Sequence, residues 1–237
     1  CEIYTDVAGV YQADPRLLPD VNRIDEISYE EMLELSSEGA QVIHSRAVEL
    51  ALLNETPIFV GSTFGDDRLG TLIRGSIDME NSNKVRGITQ DRNVARVTVS
   101  GVPDVPGIAA KIFAPLADYG ISVDIIVQNT GHDGYSDMSF TVTEDTLDLT
   151  LGYVKDIAEE LGAKEVTGDS SLAKVSIVGA GLQNLPGYAG TMFKALDDAG
   201  VNIEMITTAE ISITCVIKQD FIEAALNALN EAFLVNN

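Results

Sequence analysis

Tryptophan is absent from this chain, and it holds only two cysteines, Cys1 and Cys215, and two histidines, His44 and His132. Two thiols cannot build a disulfide framework, and a zinc site would need all four of these residues to converge, so no metal site is expected. Basic residues are scarce: 15 Lys and Arg stand against 37 Asp and Glu, a formal net charge of −22 in 237 residues. A surface that acidic repels phosphate backbones and anionic lipid, so neither nucleic acid nor a membrane surface is an expected partner. No run approaches the roughly eighteen uninterrupted apolar residues of a membrane span. No charged-then-apolar leader precedes the first strand-like run, which makes the expectation no secretory signal and a cytoplasmic location. The chain opens without methionine inside an alternating run, Cys1-Glu2-Ile3-Tyr4, and reads as a segment of a longer product.

What is present is ordinary globular material, 45% apolar and 22% charged. The length allows one large domain or two to three small ones. A repeat organises the second half. Ala95-Arg96-Val97-Thr98-Val99-Ser100-Gly101 parallels Ala173-Lys174-Val175-Ser176-Ile177-Val178-Gly179. Pro106-Gly107 then matches Pro186-Gly187, Phe113 matches Phe193, Leu116 matches Leu196, and Gly120 matches Gly200. Ile121-Ser122-Val123-Asp124 parallels Val201-Asn202-Ile203-Glu204. A period of about eighty residues is too long for a solenoid unit and fits a small duplicated domain.

Within each copy the hydrophobic period switches. Val97 and Val99 alternate as a strand, whereas Ile108, Ile112, Phe113 and Leu116 share a helical face that ends at Gly120. Ile121, Val123 and Ile125 predict a second strand, and the turn His132-Asp133-Gly134 leads to a third at Ser139–Val142. Leu147, Leu151, Val154, Ile157 and Leu161 trace a second helix, and Lys164–Thr167 predicts a short last strand. The order is βαββαβ, the ferredoxin-like arrangement. The second copy reaches its second helix (Phe221, Ala225, Leu229, Phe233) with only Leu234–Asn237 left, one strand short. The strand-like run Val85–Thr89 is the candidate to fill that edge, which would make the first copy an insertion within the second.

Asp104-Val105-Pro106-Gly107 opens a helix directly after a strand. The helix starts at Pro106 to Ala109, where free N–H groups after the proline and the positive helix end suit a carboxylate, and the Asp104 side chain suits an ammonium. A free amino acid carries both charges, and Gln128 and Asn129 at the end of the next strand could complete its site. The same residues also read as a plain helix start with a capping aspartate. The segments VSGVPDVPG and VDIIVQN resemble a tandem pair of ACT domains, the amino-acid-sensing modules of biosynthetic enzymes. The second copy has Gly181-Leu182-Gln183-Asn184-Leu185-Pro186 in place of the aspartate loop and reads as a pairing surface. Gly179-Ala180-Gly181 imitates a dinucleotide fingerprint, but Asn184 stands where the third glycine belongs, so a Rossmann reading is rejected.

Residues 1–75 carry a different signal. Thr5-Asp6-Val7-Ala8-Gly9-Val10-Tyr11-Gln12-Ala13-Asp14-Pro15-Arg16 follows a strand with hydroxyls, carboxylates, an aromatic ring and a guanidinium, an inventory able to hold a nucleotide. Read plainly, Asp14-Pro15 is a turn. Ser28-Tyr29-Glu30-Glu31 is a capping box that starts a helix burying Met32 and Leu35 and ending at Gly39. A second helix (Val48, Ala51, Leu52), a strand at Ile58–Val60 and a closing strand at Gly70–Ile73 follow, and no G-x-x-x-x-G-K-[ST] occurs.

TDVAGVYQADPR, ISYEEMLEL, GAQVIHSRAVELA and STFGDDRLGTLI, in this order and followed by tandem ACT segments, resemble aspartokinases over the whole chain. The resemblance implies a mixed α/β and α+β fold: the C-terminal lobe of an amino-acid-kinase α/β sandwich over residues 1–75, a linker at 76–84, a first ACT domain at 92–168, and a second from 85–91 with 169–237. It implies that Thr5, Asp6, Tyr11, Arg16, Gln41 and Val42 contact ATP, with Mg2+ in the complete enzyme. The family's reaction moves the γ-phosphoryl group to the side-chain carboxylate of L-aspartate, at the head of lysine, threonine and methionine synthesis. Lysine or threonine is then the implied effector, held by Asp104, Pro106, Gly107, Ala109, Ser122, Val123, Asp124 and Gln128, with Asn202, Ile203, Thr208 and Ala209 of a neighbouring subunit closing the pocket. ACT pairs in this family bury their sites between subunits, which implies an oligomer.

Three departures matter. The family's Lys-Phe-Gly-Gly-Thr-Ser opening is not in this chain, Ala8 stands where the family has aspartate, and Gln41 where it has lysine. Phosphoryl transfer rests on positioning and charge stabilisation. The chain alone is therefore expected to carry no catalytic residue, and His44 reads as a packing histidine. Two readings stand: the regulatory and ATP-binding part of an allosteric kinase, or a non-catalytic regulatory subunit or free-standing sensor.

Overall fold

The computed structural model describes residues 1–65, 69–75, 85–129, 131, 134–182 and 186–235. The expected linker at 76–84, the turn residues His132 and Asp133, and Gln183–Leu185 lie outside the described residues. The chain divides into two compact units, Cys1–Asp91 with Lys174–Asn237, and Arg92–Ala173.

The first unit begins with β1 (Glu2–Thr5), β2 (Glu26–Ser28), α1 (Tyr29–Ser37), α2 (Ser45–Leu53), β3 (Ile58–Ser62) and β4 (Gly70–Arg74). These strands form a sheet in the order β1-β3-β4-β2, with β1 parallel to β3, β3 antiparallel to β4, and β4 parallel to β2. Alternation puts Ile58 and Val60 inward on β3, where they meet Met32 and Leu35 of α1 and Val48 and Ala51 of α2 in one buried cluster. The start of α1 is set locally: Ser28 Oγ accepts the Glu31 N–H at 3.1 Å, and the Glu31 carboxylate reaches back to the Ser28 N–H at 3.4 Å. His44, expected to pack, is instead exposed and caps α2, its Nδ1 accepting the Arg46 N–H at 3.1 Å.

The same unit holds a ferredoxin-like sheet. Its strands are the first residues of β5 (Gly87–Pro103), the last residues of β8 (Glu165–Val178), β10 (Ser212–Lys218) and β9 (Met205–Thr208), in the order β5-β8-β10-β9. Arg86 N–H donates to Val178 O at 2.7 Å where β5 enters. Helices α5 (Tyr188–Asp198) and α6 (Ile222–Asn230) bury Met192, Leu196, Ile222, Ala225, Leu226 and Leu229. Phe221, expected on the buried face of the last helix, is 41% exposed.

The second unit is a βαββαβ domain: the rest of β5, α3 (Ile108–Asp118), β6 (Ile126–Asn129), β7 (Tyr135–Val142), α4 (Leu147–Leu161) and the first part of β8. Its strand order is β6-β7-β5-β8, and Val97, Val99, Ile112, Leu116, Phe140 and Val154 form its core. The β5–β7 register shifts between Val99 and Val102. Gly101 sits in that shift with φ of +65°, its N–H donating to Asp137 Oδ1 at 2.8 Å, and a Cβ there would stand 2.6 Å from the Lys164 chain. This bulge turns the chain toward Asp104.

Two strand expectations are corrected. Ile121–Ile125 is not a strand: Ile125 N–H is taken by the Thr141 hydroxyl at 3.0 Å, so a regular ladder starts only at Ile126. Ser122, Val123 and Asp124 therefore lie in the irregular segment between α3 and β6. The strand at Lys164–Thr167 is not short: it runs from Glu165 to Val178. β5 likewise runs from Gly87 through the first repeat's strand to Pro103 without a break.

Candidate functional site

The nucleotide candidates are gathered by the first sheet. Thr5 ends β1 opposite Ser62, the end of its parallel neighbour β3. Ligands of α/β sheets collect at such carboxyl ends. Thr5 Oγ1 donates to Asp6 Oδ1 at 3.0 Å, and exposed Asp6 leads into a long excursion before β2. The excursion is folded, not loose: Gln12 N–H donates to Asn22 O at 3.0 Å, Ile24 N–H to Val10 O at 2.8 Å, and Ala13 and Leu18 are buried. Tyr11 sits on this neck, half-buried, bridged through its backbone to Arg23.

Arg16 is exposed, but its guanidinium is engaged. Nη2 lies 2.7 Å from Asp14 Oδ2 and Nε 3.0 Å from Oδ1, a bidentate pair. The Arg16 hydrogen bond holds the Asp14 carboxyl below its usual range, and Asp14 in turn raises the Arg16 guanidinium. The Asp6 carboxylate also raises it, so the end of β1 and the loop share one electrostatic neighbourhood. Asp14 was thus a missed residue: DPR places the two side chains two residues apart, but only the structure shows them paired. Gln41, exposed, and Val42, half-buried, come from the turn before α2. Among the described residues, the only direct bond within these six candidates is Thr5 to Asp6.

The amino-acid candidates of the second unit follow the β5 bulge. Asp104 N–H donates to Gly134 O at 2.9 Å, while its exposed carboxylate has no hydrogen bond or ion pair among the described residues. Gly107 is the N-cap of α3 at φ of +89°, with no side chain capping the first turn, so the N–H of Ala109 stays available. Pro106 and Gly107 are exposed beside it, Ser122 and Asp124 are exposed after α3, Val123 is half-buried, and Gln128 stands exposed on β6. In the first unit, Asn202 Nδ2 donates to Glu204 Oε1 at 3.2 Å, Ile203 is half-buried, and Thr208 ends β9 paired with Ile213. Ala209 N–H closes the following turn onto Ser212 O at 3.0 Å.

Among the described residues no three His, Cys, Asp or Glu side chains cluster so as to hold a metal ion; Cys1 is exposed and Cys215 buried. Among the same residues no helix is long and apolar enough to cross a membrane.

Three family models match the chain. The amino acid kinase family matches residues 1–62, and the ACT domain matches 96–159 and, in a second form, 175–233. The regulatory subunit of aspartate kinase from Thermus thermophilus is 41% identical, with 99% of it and 63% of this chain covered and a TM-score of 0.61. The chain belongs to the aspartate kinase family. Aspartate kinase of Pseudomonas fluorescens is 44% identical over 98% of the chain, which spans 56% of that relative. The chain thus covers about half the length of the curated aspartate kinases it matches. Escherichia coli aspartokinase III, solved with aspartate and ADP, superposes with a TM-score of 0.82 at 28% identity, over 98% of this chain and 51% of that one. The same kinase has also been solved with lysine and aspartate.

Proposed function

We propose that this chain is the nucleotide-binding and regulatory portion of an aspartate kinase. The whole protein would transfer the γ-phosphoryl group of ATP to the side-chain carboxylate of L-aspartate, giving 4-phospho-L-aspartate. Lysine, threonine or both would restrain it from the ACT domains. The observation that carries this reading is the coexistence of two unlike residue sets on one chain: a hydroxyl, carboxylate and guanidinium set at the end of β1, and an Asp104 without an ion pair among the described residues, shortly before a helix start that no side chain caps.

The donor set at β1 fits a nucleotide. Arg16 can turn from Asp14 to phosphate oxygens, Tyr11 offers a ring at the neck of the loop, and Thr5 a hydroxyl beside Asp6. Mg2+ would arrive with the triphosphate as part of the substrate, since such ions keep phosphate and water ligands and need only one or two carboxylates. In the regulatory half, Asp104 would hold the ammonium, and the N–H groups of Gly107 and Ala109 the carboxylate. Ser122, Val123, Asp124 and Gln128 would line the pocket, and Asn202, Ile203, Thr208 and Ala209 of a second copy of the chain would close it, which makes the assembly an oligomer.

A second reading, a regulatory subunit or sensor without chemistry, is favoured by Ala8 and Gln41, which remove charge from the nucleotide side. Calorimetry with Mg-ATP and with lysine and threonine separates the two. The kinase reading expects both classes of ligand to bind; the sensor reading expects amino acid alone. Binding of neither overturns both.

A further inference from the structure

Glu31, Glu34 and Glu38 follow one another at spacings of three and four residues and so share one face of α1 and its cap. In a chain this acidic, such a face is ordinarily solvated. Here it is covered by the ferredoxin-like sheet of the same unit. Glu34 Oε1 accepts the Ser212 hydroxyl at 2.5 Å. Glu38 Oε2 accepts Ser176 Oγ at 2.7 Å and Thr214 Oγ1 at 3.2 Å, with Lys174 Nζ at 3.8 Å. Glu31 accepts the Ala180 N–H at 3.2 Å and faces Arg86 Nε at 3.4 Å.

Lys174 and Ser176 alternate on β8, as Ser212 and Thr214 do on β10, so the four lie on one sheet face. All four are at least nine-tenths buried. The joint therefore adds directional polar bonds to the apolar packing of Val178 in the cluster that holds Met32 and Leu35. Glu31 is buried and Glu34 and Glu38 are partly so. A carboxylate shielded from water that loses its donor keeps part of its desolvation cost, which favours α1 and this face moving together while the bonds hold.

Both ends of the joint lead to a candidate site. Ser212 gives its side chain to Glu34 and its carbonyl to Ala209 N–H, closing the β9–β10 turn that carries Thr208 and Ala209. At the other end α1 runs through Gly39 into Gln41 and Val42. Gly39 has φ of +116°, and a Cβ there would lie 2.2 Å from Gln90 O, so this turn is pressed against β5.

We propose that the acidic face of α1 is the coupling element of this unit: displacement of the β9–β10 turn passes through Ser212 and Glu34 to α1 and on to the turn at Gln41-Val42. The proposal rests on the nucleotide and amino-acid sites assigned above for its purpose, but not for its mechanics. Coupling needs a discrete element that both sites bias, and a made-or-broken hydroxyl–carboxylate bond is one.

Hydrogen exchange on the chain, read by mass spectrometry, tests it. Without ligand, Ser212→Ala and Glu34→Ala should each raise exchange across residues 40–47 at least threefold, and the double variant should add little beyond either. Glu30→Gln, an exposed change on the same helix, should leave those amides at the parent rate. Unchanged exchange at 40–47 in both single variants, or faster exchange confined to 208–214, overturns the coupling. With lysine or threonine added, the parent should respond at both 205–212 and 40–47, and Ser212→Ala at 205–212 only. A response at 40–47 that survives both variants also overturns it. Absence of any amino-acid response removes the effector assignment alone, and the ligand-free arm then decides the coupling.

Discussion

The Thr71 hydroxyl, fully buried on β4, accepts the Val10 N–H at 2.8 Å and donates to the Ile24 carbonyl at 2.6 Å. Val10 and Ile24 are the two ends of the excursion that carries Tyr11 and Arg16, and they also bond to each other at 2.8 Å. One side chain thus pins the neck of the candidate nucleotide loop to the sheet.

Thr71→Val keeps the shape and removes both bonds, leaving the Val10 N–H buried without a partner. An unsatisfied buried donor costs about 1–3 kcal/mol. The expected outcome is a lower urea midpoint with an unchanged slope, since the native fold persists. A loss below about 0.5 kcal/mol would show that water or a backbone shift replaces the hydroxyl.

Cys215 faces the interior of the ferredoxin-like sheet, and burial pushes its thiol up to about 12. Below an unfolded-state value near 8.5, both states hold the proton and the cysteine contributes no pH dependence. Between there and 12 the unfolded chain loses the proton while the folded one keeps it. Stability then falls as pH rises, by up to about 1.4 kcal/mol per pH unit. Unfolding free energies of the parent and Cys215→Ala, compared from pH 8 to 10.5, should run parallel at first, with the parent falling more steeply than the variant only toward the alkaline end. Equal slopes would place the thiol in contact with water. At pH 8 an alkylating reagent should label Cys1 in the native protein and Cys215 only after unfolding.

Gln41 is exposed in the turn before α2. A lysine there presents a point charge to phosphate oxygens, whereas the amide cannot. Gln41→Lys should tighten ATP binding by about 1 kcal/mol, roughly fivefold, at a site open to solvent. The gain should shrink as salt is added. Calorimetry showing equal affinity for the two proteins would mean that position 41 does not face the phosphates.

Much of this architecture was legible in the residues themselves. The pairing of Ala95–Gly101 with Ala173–Gly179 announced two copies of one unit, and the switch from alternation to a helical face at Ile108 set the element order. Ser28 and Glu31 gave the start of α1 from local chemistry alone, because both capping bonds lie within four residues. What stayed hidden depended on partners distant in sequence. Glu34 and Glu38 look the same whether they face water or Ser212 and Thr214, which lie 178 and 176 residues away. The late start of β6 follows from a hydroxyl on Thr141, sixteen residues on, which no period in Ile121–Ile125 reports. His44 was misread because a lone histidine carries no pattern, and only its bond to Arg46 N–H reveals a cap. At the candidate sites, residue types were readable and their engagement was not: nothing in the spelling of DPR separates an Arg16 free for phosphate from one held by Asp14.

Asp104 supplies the sharpest test of the amino-acid site. Its carboxylate is exposed and uncommitted, and four residues on, the first turn of α3 offers N–H groups that no side chain caps. The two charges of a free amino acid would satisfy both at once. Once a second copy of the chain covers the site, the ammonium would be buried against Asp104. Removing the partner of a buried, hydrogen-bonded charge costs about 2–5 kcal/mol, about thirty-fold or more in affinity. Asp104→Ala should therefore erase binding at millimolar ligand. Asp104→Asn keeps an acceptor without the charge and should lose less. Neither change should lower stability, because the fold uses the Asp104 N–H, bonded to Gly134 O at 2.9 Å, and not its carboxylate. The measurement is thermal shift and calorimetry with all twenty amino acids on the parent and both variants. Lysine or threonine should stabilise the parent and leave Asp104→Ala unmoved. A response that survives Asp104→Ala would sink the site assignment, and a response to a different amino acid would keep the site while overturning the identity of the effector.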